Sequence, residues 1–225
     1  MKTVQSGKIG ILGGTFDPVH FGHLRTAEEI GHGLGLDRVY LIPAASPPHK
    51  VGDPVTPFEH RMAMTRLAVR RSDLLEALDL EGKRAGLSYS SDTLRELKAT
   101  LGKDTGLFFL VGSDAFLEIR TWKNYQALFD YAHFVLIPRA GCDLKRLEEF
   151  ILEVDRGVKK HEEKNVYTMP SGNRVIIYYS TLLDISGTGI RNMVREGKSI
   201  TFLVPEAVQT YIVREGLYQL HEDRR

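Results

Sequence analysis

Short, continuous apolar runs alternate along the chain with longer stretches in which apolar residues recur every three or four positions. Lys8–Leu12, Arg38–Ala44, Leu74–Leu80, Leu107–Val111, His133–Pro138 and Arg174–Ser180 are of the first kind and are expected to be strands. Phe21–Leu34, Thr56–Arg71, Ser90–Leu101, a short piece at Gln126–Tyr131, Leu144–Lys160, Thr188–Glu196 and Pro205–Glu215 are of the second kind and are expected to be helices. A strand that is apolar throughout, rather than at alternate positions, is buried on both faces, as in a parallel sheet covered by helices on both sides. The expected fold is therefore α/β: a doubly wound parallel sheet with a small C-terminal helical part, in a single domain over residues 1–225. A Ser or Asp is available to cap the helix at Ser90. Gly31–Gly35 reads as a helix C-cap, and the polar stretch Lys159–Asn173 as a loop within the domain.

Ligands of open parallel sheets bind outside the carboxyl ends of the strands. Four unusual segments fall there. The first is Gly13-Gly14-Thr15-Phe16-Asp17-Pro18-Val19-His20-Phe21-Gly22-His23. Its glycines suit a tight turn close to a ligand, and Gly22 leaves room for a flat group against the backbone. His20 and His23 share a helix face if the helix has started, at an N-terminus that favours anions. They are either donors to phosphate oxygens or a structural pair; a zinc site lacks both an HExxH and the cysteines. The second segment is Ile185-Ser186-Gly187-Thr188-Gly189-Ile190-Arg191. Ser or Thr can cap a helix here, and Arg191 in its first turn opposes the helix dipole unless an anion compensates. The third, Ser46-Pro47-Pro48-His49-Lys50, is either a phosphate-binding loop or a solvated one. In the fourth, Gly112-Ser113-Asp114, the carboxylate of Asp114 either accepts from ribose hydroxyls or caps a helix. Trp122, the only tryptophan, either stacks on a ligand ring or packs. Gly197-Lys198-Ser199 is not the end of a P-loop, because the earlier glycine position holds Asn192 and what precedes it is helical.

Composition narrows the classes. Lys plus Arg number 30 against 29 Asp plus Glu, a formal charge of +1, so an anion site must be local and no nucleic-acid partner is expected. The cationic run from Arg66 to Arg71 reads as the solvated face of a helix. The single Cys142 allows neither an internal disulfide nor a cysteine-rich metal site and fits a reducing compartment. With no secretory leader pattern and no apolar run of bilayer length, a cytoplasmic protein without a membrane partner is expected.

The first segment together with ISGTGIR resembles the HxGH and ISxTxIR pair of the nucleotidyltransferase superfamily, and more narrowly bacterial nicotinate-nucleotide adenylyltransferases. The resemblance runs from about Ile9 to about Tyr218 and includes SPPHK, Ser88-Tyr89-Ser90 with Thr93, VGSD, Thr121-Trp122 and Pro138-Arg139. It implies a Rossmann-like nucleotidyltransferase domain. It also implies an ATP site formed by Gly13, Gly14, Thr15, Phe16, His20, His23, Gly112, Asp114, Arg139, Ser186 and Arg191. Of these, His20, His23 and Arg191 would be catalytic: His23 near the α-phosphate, Ser186 and Arg191 on the β- and γ-phosphates. His49, Lys50, Ser90, Trp122 and Lys123 would take nicotinate mononucleotide, Trp122 stacking on the pyridine ring and backbone N–H groups near Ser90 and Lys123 reading the carboxylate. Ser90 stands where Thr is frequent, Lys123 where an aromatic is frequent, and Lys50 where Arg also occurs. The Cys142–Arg174 region is the least family-like.

The implied reaction is in-line attack of the mononucleotide phosphate on the α-phosphorus of ATP, with pyrophosphate leaving. The nucleophile is already ionised, so positioning and charge stabilisation by His20, His23, Lys50 and Arg191 would suffice. Mg²⁺ would arrive on the triphosphate, with no protein cage for it. The alternatives are nicotinamide mononucleotide or phosphopantetheine as acceptor, and a nucleotide-sensing module without catalysis.

Overall fold

The computed structural model describes residues 7–48, 52 and 54–219. Eight strands form one sheet: β1 (Lys8–Gly14), β2 (Arg38–Pro43), β3 (Leu75–Ala77), β4 (Gly106–Gly112), β5 (His133–Ile137), β6 (Lys159–Lys160), β7 (Val166–Thr168) and β8 (Arg174–Ile177). Their order is β3-β2-β1-β4-β5-β8-β7-β6. The six strands from β3 to β8 in that order pair in parallel, with β1 in the middle, where Leu12 lies between Leu41 and Leu110.

Both faces are covered because the strand residues alternate in side and are apolar on each. Leu107, Phe109 and Val111 of β4 pack with α3 (Ser90–Leu101), α4 (Ser113–Leu117), α5 (Tyr125–Tyr131) and α6 (Leu144–Glu153). Phe108 and Leu110 pack on the opposite face with α1 (Phe21–Gly33), α2 (Phe58–Val69), α7 (Gly187–Arg195) and α8 (Glu206–Arg214). The helices α7 and α8 are the C-terminal helical part. Strand order reverses between β1 and β4, so the crevice of a doubly wound sheet opens beyond Gly13–Gly14 and Gly112. Among the described residues no helix is long and apolar enough to cross a membrane.

Three expectations are corrected. The helix expected over Leu144–Lys160 stops at Glu153. Leu147, Ile151 and Val154 fill the last apolar positions of its buried stripe, and Gly157 at φ +91° cannot continue it. The polar stretch that follows is not a loop: β6 and β7 pair antiparallel, and β7 adds antiparallel to β8. Burial of Val166, Tyr167 and Met169 in an otherwise charged segment provides the apolar side of this hairpin. Finally, α3 begins at Ser90 but takes Tyr89 as its N-cap, with no side-chain cap hydrogen bond. At the end of α1, Gly35 at φ +60° does close the helix, with Leu36 N–H on Gly31 O (2.8 Å) and Gly35 N–H on His32 O (3.2 Å).

Candidate active site

The turn after β1 differs from the expectation. Gly13 and Gly14 still belong to the strand, Gly14 pairing with Pro43. The chain turns at Phe16, whose φ is +49°. The Phe16 ring is buried and stands edge-on to His23, with centroids 4.9 Å apart. His20 is the N-cap of α1 and His23 its third residue, so their rings stack, 3.7 Å apart at 26°. The backbone N–H of His20 donates to Nδ1 of His23 (3.3 Å). The space over Gly22 is not free: a Cβ there would lie 3.0 Å from the His20 ring, so the flat group resting on it is His20 itself.

The setting of both imidazoles favours their neutral form. Burial, then the Arg139 charge, lowers the pKa of His20 to about 4. Burial, then His20, then Arg139, holds His23 well below its ordinary value. This suits them to act as hydrogen-bond partners, the first of the two readings the sequence allowed. Nδ1 of His20 is buried with no hydrogen-bond partner, an atom that a ligand can satisfy.

ISGTGIR comes to this turn from far along the chain. Ser186 caps α7 by accepting from Gly189 N–H (3.1 Å). Arg191 is the fifth residue of α7, beyond the first turn, and its guanidinium reaches across to the loop. Nη1 donates to Asp17 O (2.7 Å), and Nη2 donates to Thr188 Oγ1 (3.2 Å). A Cβ on Gly187 would sit 2.8 Å from Asp17 O, so only glycine lets α7 approach this closely. Asp17 is 5 % exposed and also accepts from Tyr218 Oη (2.8 Å) and Thr56 N–H (3.3 Å). Asp114 lies in the first turn of α4 without capping it, paired with Arg139 at 3.2 Å; Gly112 is the N-cap.

The acceptor-side residues form a second group. Ser46 O accepts from Ser88 N–H (2.9 Å) and Ser46 N–H donates to Ser88 Oγ (3.1 Å), which ties the loop after β2 to the approach of α3. His49 and Lys50 lie outside the described residues. Lys123 reaches α3, with Nζ 2.9 Å from Asp92 and 4.5 Å from the centre of the Tyr89 ring. The Lys123 hydrogen bond holds the Asp92 carboxyl below the usual range. Ser90 is the first residue of that same helix, between the Tyr89 and Asp92 that Lys123 touches. Trp122 is half-buried, its ring edge packed on Phe109 at 6.3 Å.

Arg61 is the functional candidate that sequence reasoning missed. It is 1 % exposed and donates to four backbone carbonyls. Asp17 and Tyr218 were likewise given no role from the sequence beyond their place in the first segment and at the end of the resemblance. A signal existed for Arg61: it lies four residues before the buried Thr65 and eight before Val69, a charge on the apolar stripe of α2. Among the described residues there is no group of three or more His, Cys, Asp or Glu that could hold a metal ion.

Most of the chain is similar to known proteins. The cytidylyltransferase-like family matches residues 11–193. A probable nicotinate-nucleotide adenylyltransferase of Desulfatibacillum aliphaticivorans is 43 % identical over 217 residues, 94 % of this chain and 99 % of the relative. One from Geobacter sulfurreducens is 43 % identical over 94 % of this chain and 98 % of its own. In fold, the chain matches the Plasmodium falciparum nicotinic acid mononucleotide adenylyltransferase complexed with NaAD, with a TM-score of 0.70 at 19 % identity over 94 % of this chain and 97 % of that one. A cytidylyltransferase-like core, a sequence 43 % identical to these relatives over 94 % of the chain, and two motifs meeting at Asp17 lead to one conclusion: the chain belongs to the nicotinate-nucleotide adenylyltransferase family.

Proposed function

We propose that the chain, acting as one nucleotidyltransferase domain, transfers the adenylyl group of ATP to nicotinate mononucleotide, giving deamido-NAD and pyrophosphate in NAD biosynthesis. The observation that carries this reading is the contact of Arg191 with Asp17, three residues before His20. It gathers a guanidinium, two imidazoles and the N-terminus of α1 beside the crevice of the sheet, a setting for a triphosphate.

In this reading His20 and His23 donate to phosphate oxygens, and the buried His20 Nδ1 gains a partner. Arg191 and Arg139 supply the positive charge that the neutral imidazoles do not. Gly112 and Asp114 lie on the adenosine side, and Ser186 on the side of the leaving pyrophosphate. On the acceptor side, the α3 N-terminus supports carboxylate recognition: its first N–H groups face no side-chain cap, and Lys123 adds an ammonium 2.9 Å from Asp92. Trp122 offers a stacking face, and His49 and Lys50 approach the mononucleotide phosphate.

Attack of that phosphate on the α-phosphorus needs alignment and charge stabilisation but no strong base. Adenylyl transfer of this kind uses a divalent metal. We assign Mg²⁺, carried by the triphosphate, where it would offset charge on the phosphate oxygens. Pyrophosphate release measured with nicotinate mononucleotide, nicotinamide mononucleotide and phosphopantetheine tests the reading. The nicotinate compound is expected to turn over fastest; equal or greater turnover with another acceptor, or none with any, overturns it.

A further inference from the structure

Arg61 sits on α2, outside every segment that carries the two motifs. Its guanidinium is inside the protein, yet no carboxylate among the described residues pairs with it at salt-bridge distance; its partners are carbonyl oxygens from three separate stretches of chain. Nη1 donates to Thr15 O (2.7 Å) and to Ala44 O (2.7 Å), Nη2 to Ala45 O (3.2 Å), and Nε to Thr56 O (2.8 Å). Phe58 lies 5.6 Å from the guanidinium carbon. Burial lowers the pKa of this group, the mark of a cation kept away from water at some cost. An apolar side chain of similar size in such a place is often as stable or more so, which turns attention from stability to geometry.

The carbonyls are telling. Thr15 immediately precedes Phe16, the turn residue whose ring stands against His23. Ala44 and Ala45 lead into Ser46, the residue bonded to the Ser88 segment in front of α3. Thr56 passes its own N–H to Asp17, the acceptor of Arg191. One planar fork therefore holds the turn on the triphosphate side and the loop on the acceptor side at a fixed separation. Lysine cannot copy it, because an ammonium is a point donor and cannot span four carbonyls in a plane.

The geometry points to Arg61 as a positioning residue that sets the α-phosphorus and the attacking phosphate in line. This rests on the adenylyl-transfer reading. Removing the fork leaves each binding subsite in place but lets the two drift, and a misplacement of about 1 Å costs about 10²-fold in rate. In Arg61→Lys, kcat is expected to fall by about 10–100-fold while KM for ATP and for nicotinate mononucleotide each change by less than about threefold. Methylguanidinium added to Arg61→Ala is expected to restore part of kcat and to leave wild type unaffected. Circular dichroism and thermal melting give the folded fraction of each variant in the same samples. The proposal is overturned if folded Arg61→Lys keeps kcat within about twofold. It is equally overturned if the loss, and its recovery in methylguanidinium, follow the folded fraction alone, including the case in which neither variant folds. Failure of the adenylyl-transfer reading looks different: wild type then releases no pyrophosphate with any acceptor.

Discussion

The two sides of the crevice are built differently. The side proposed for the triphosphate is a knot of buried polar groups: Asp17 and Arg61 are at 5 % and 1 % exposure, and Arg191, Thr56 and Tyr218 all bond to Asp17. The acceptor side is held by partners at the surface. Lys123 and Asp92 form an open ion pair, Ser46 and Ser88 exchange two exposed hydrogen bonds, and α3 starts without a side-chain cap. Buried networks fix geometry, whereas exposed pairs contribute little and rearrange easily. In the proposed assignment, reaction geometry would be set on the side where charge develops, and the side that distinguishes acceptors would be the more adaptable one.

Breaking the buried knot should have the largest effects. His23→Ala removes a donor from the phosphate site and is expected to lower kcat by about 10³-fold with the fold intact, the scale for loss of one preorganised transition-state donor. Turnover close to wild type in that folded variant refutes the role. Tyr218→Phe removes the hydroxyl from Asp17 Oδ1 and is expected to cost about 1.5–3 kcal/mol in urea unfolding, as for hydrogen bonds to charged groups. A loss no larger than that of an exposed Tyr→Phe change, such as Tyr179→Phe, breaks the comparison at its firm end.

On the acceptor side the effects should be smaller and confined to one substrate. Trp122→Ala is expected to raise KM for nicotinate mononucleotide about tenfold, with ATP little changed, as loss of one aromatic stack predicts. Equal effects on both substrates remove the stacking role. Lys123→Met is expected to reduce the preference for acid over amide acceptor only by about two- to fivefold, and less at high salt, because its charge is exposed.

Acid sharpens the contrast in another way. His20 and His133 have folded-state pKa values of about 4, and His23 is also held low, all three first by burial. Unfolded histidines titrate near their ordinary value of 6.5, so below that pH the unfolded chain takes up protons that the folded chain refuses. Stability is therefore complete above pH 6.5 and declines as pH falls toward 4, by at most about 1.4 kcal/mol per pH unit for each histidine. Saturating ATP favours the imidazolium forms of His20 and His23 and should flatten this decline, leaving the share of His133, which faces Arg174 and lies away from the crevice. Melting curves from pH 7 to pH 5 with and without ATP check it; parallel curves count against phosphate contact by the histidine pair.

The strands and helices of the parallel sheet were legible because burial on two faces writes itself as uninterrupted apolar runs, as in Leu107–Val111. The β6–β7 hairpin was not, because Val166, Tyr167 and Met169 are too few among charged neighbours to show a period of two. Within the site, His20, His23, Ser186 and Arg191 could be singled out because each sits in a short local pattern at the end of a strand. Arg61, Asp17 and Tyr218 could not be joined, since their bonds cross 46, 174 and 201 residues of chain.

What the sequence by itself determined is the local chemistry: which segments end strands, where helices start, and which side chains stand ready for an anion. Only the tertiary structure decided how those groups behave. Burial favours the neutral imidazoles, the chain turns at Phe16 rather than at Gly14, and a helix with no motif of its own supplies the fork to the Thr15 and Ala44 carbonyls. Desolvation and hydrogen-bond partnership depend on what the fold places nearby, and that is not written at any one position of the chain.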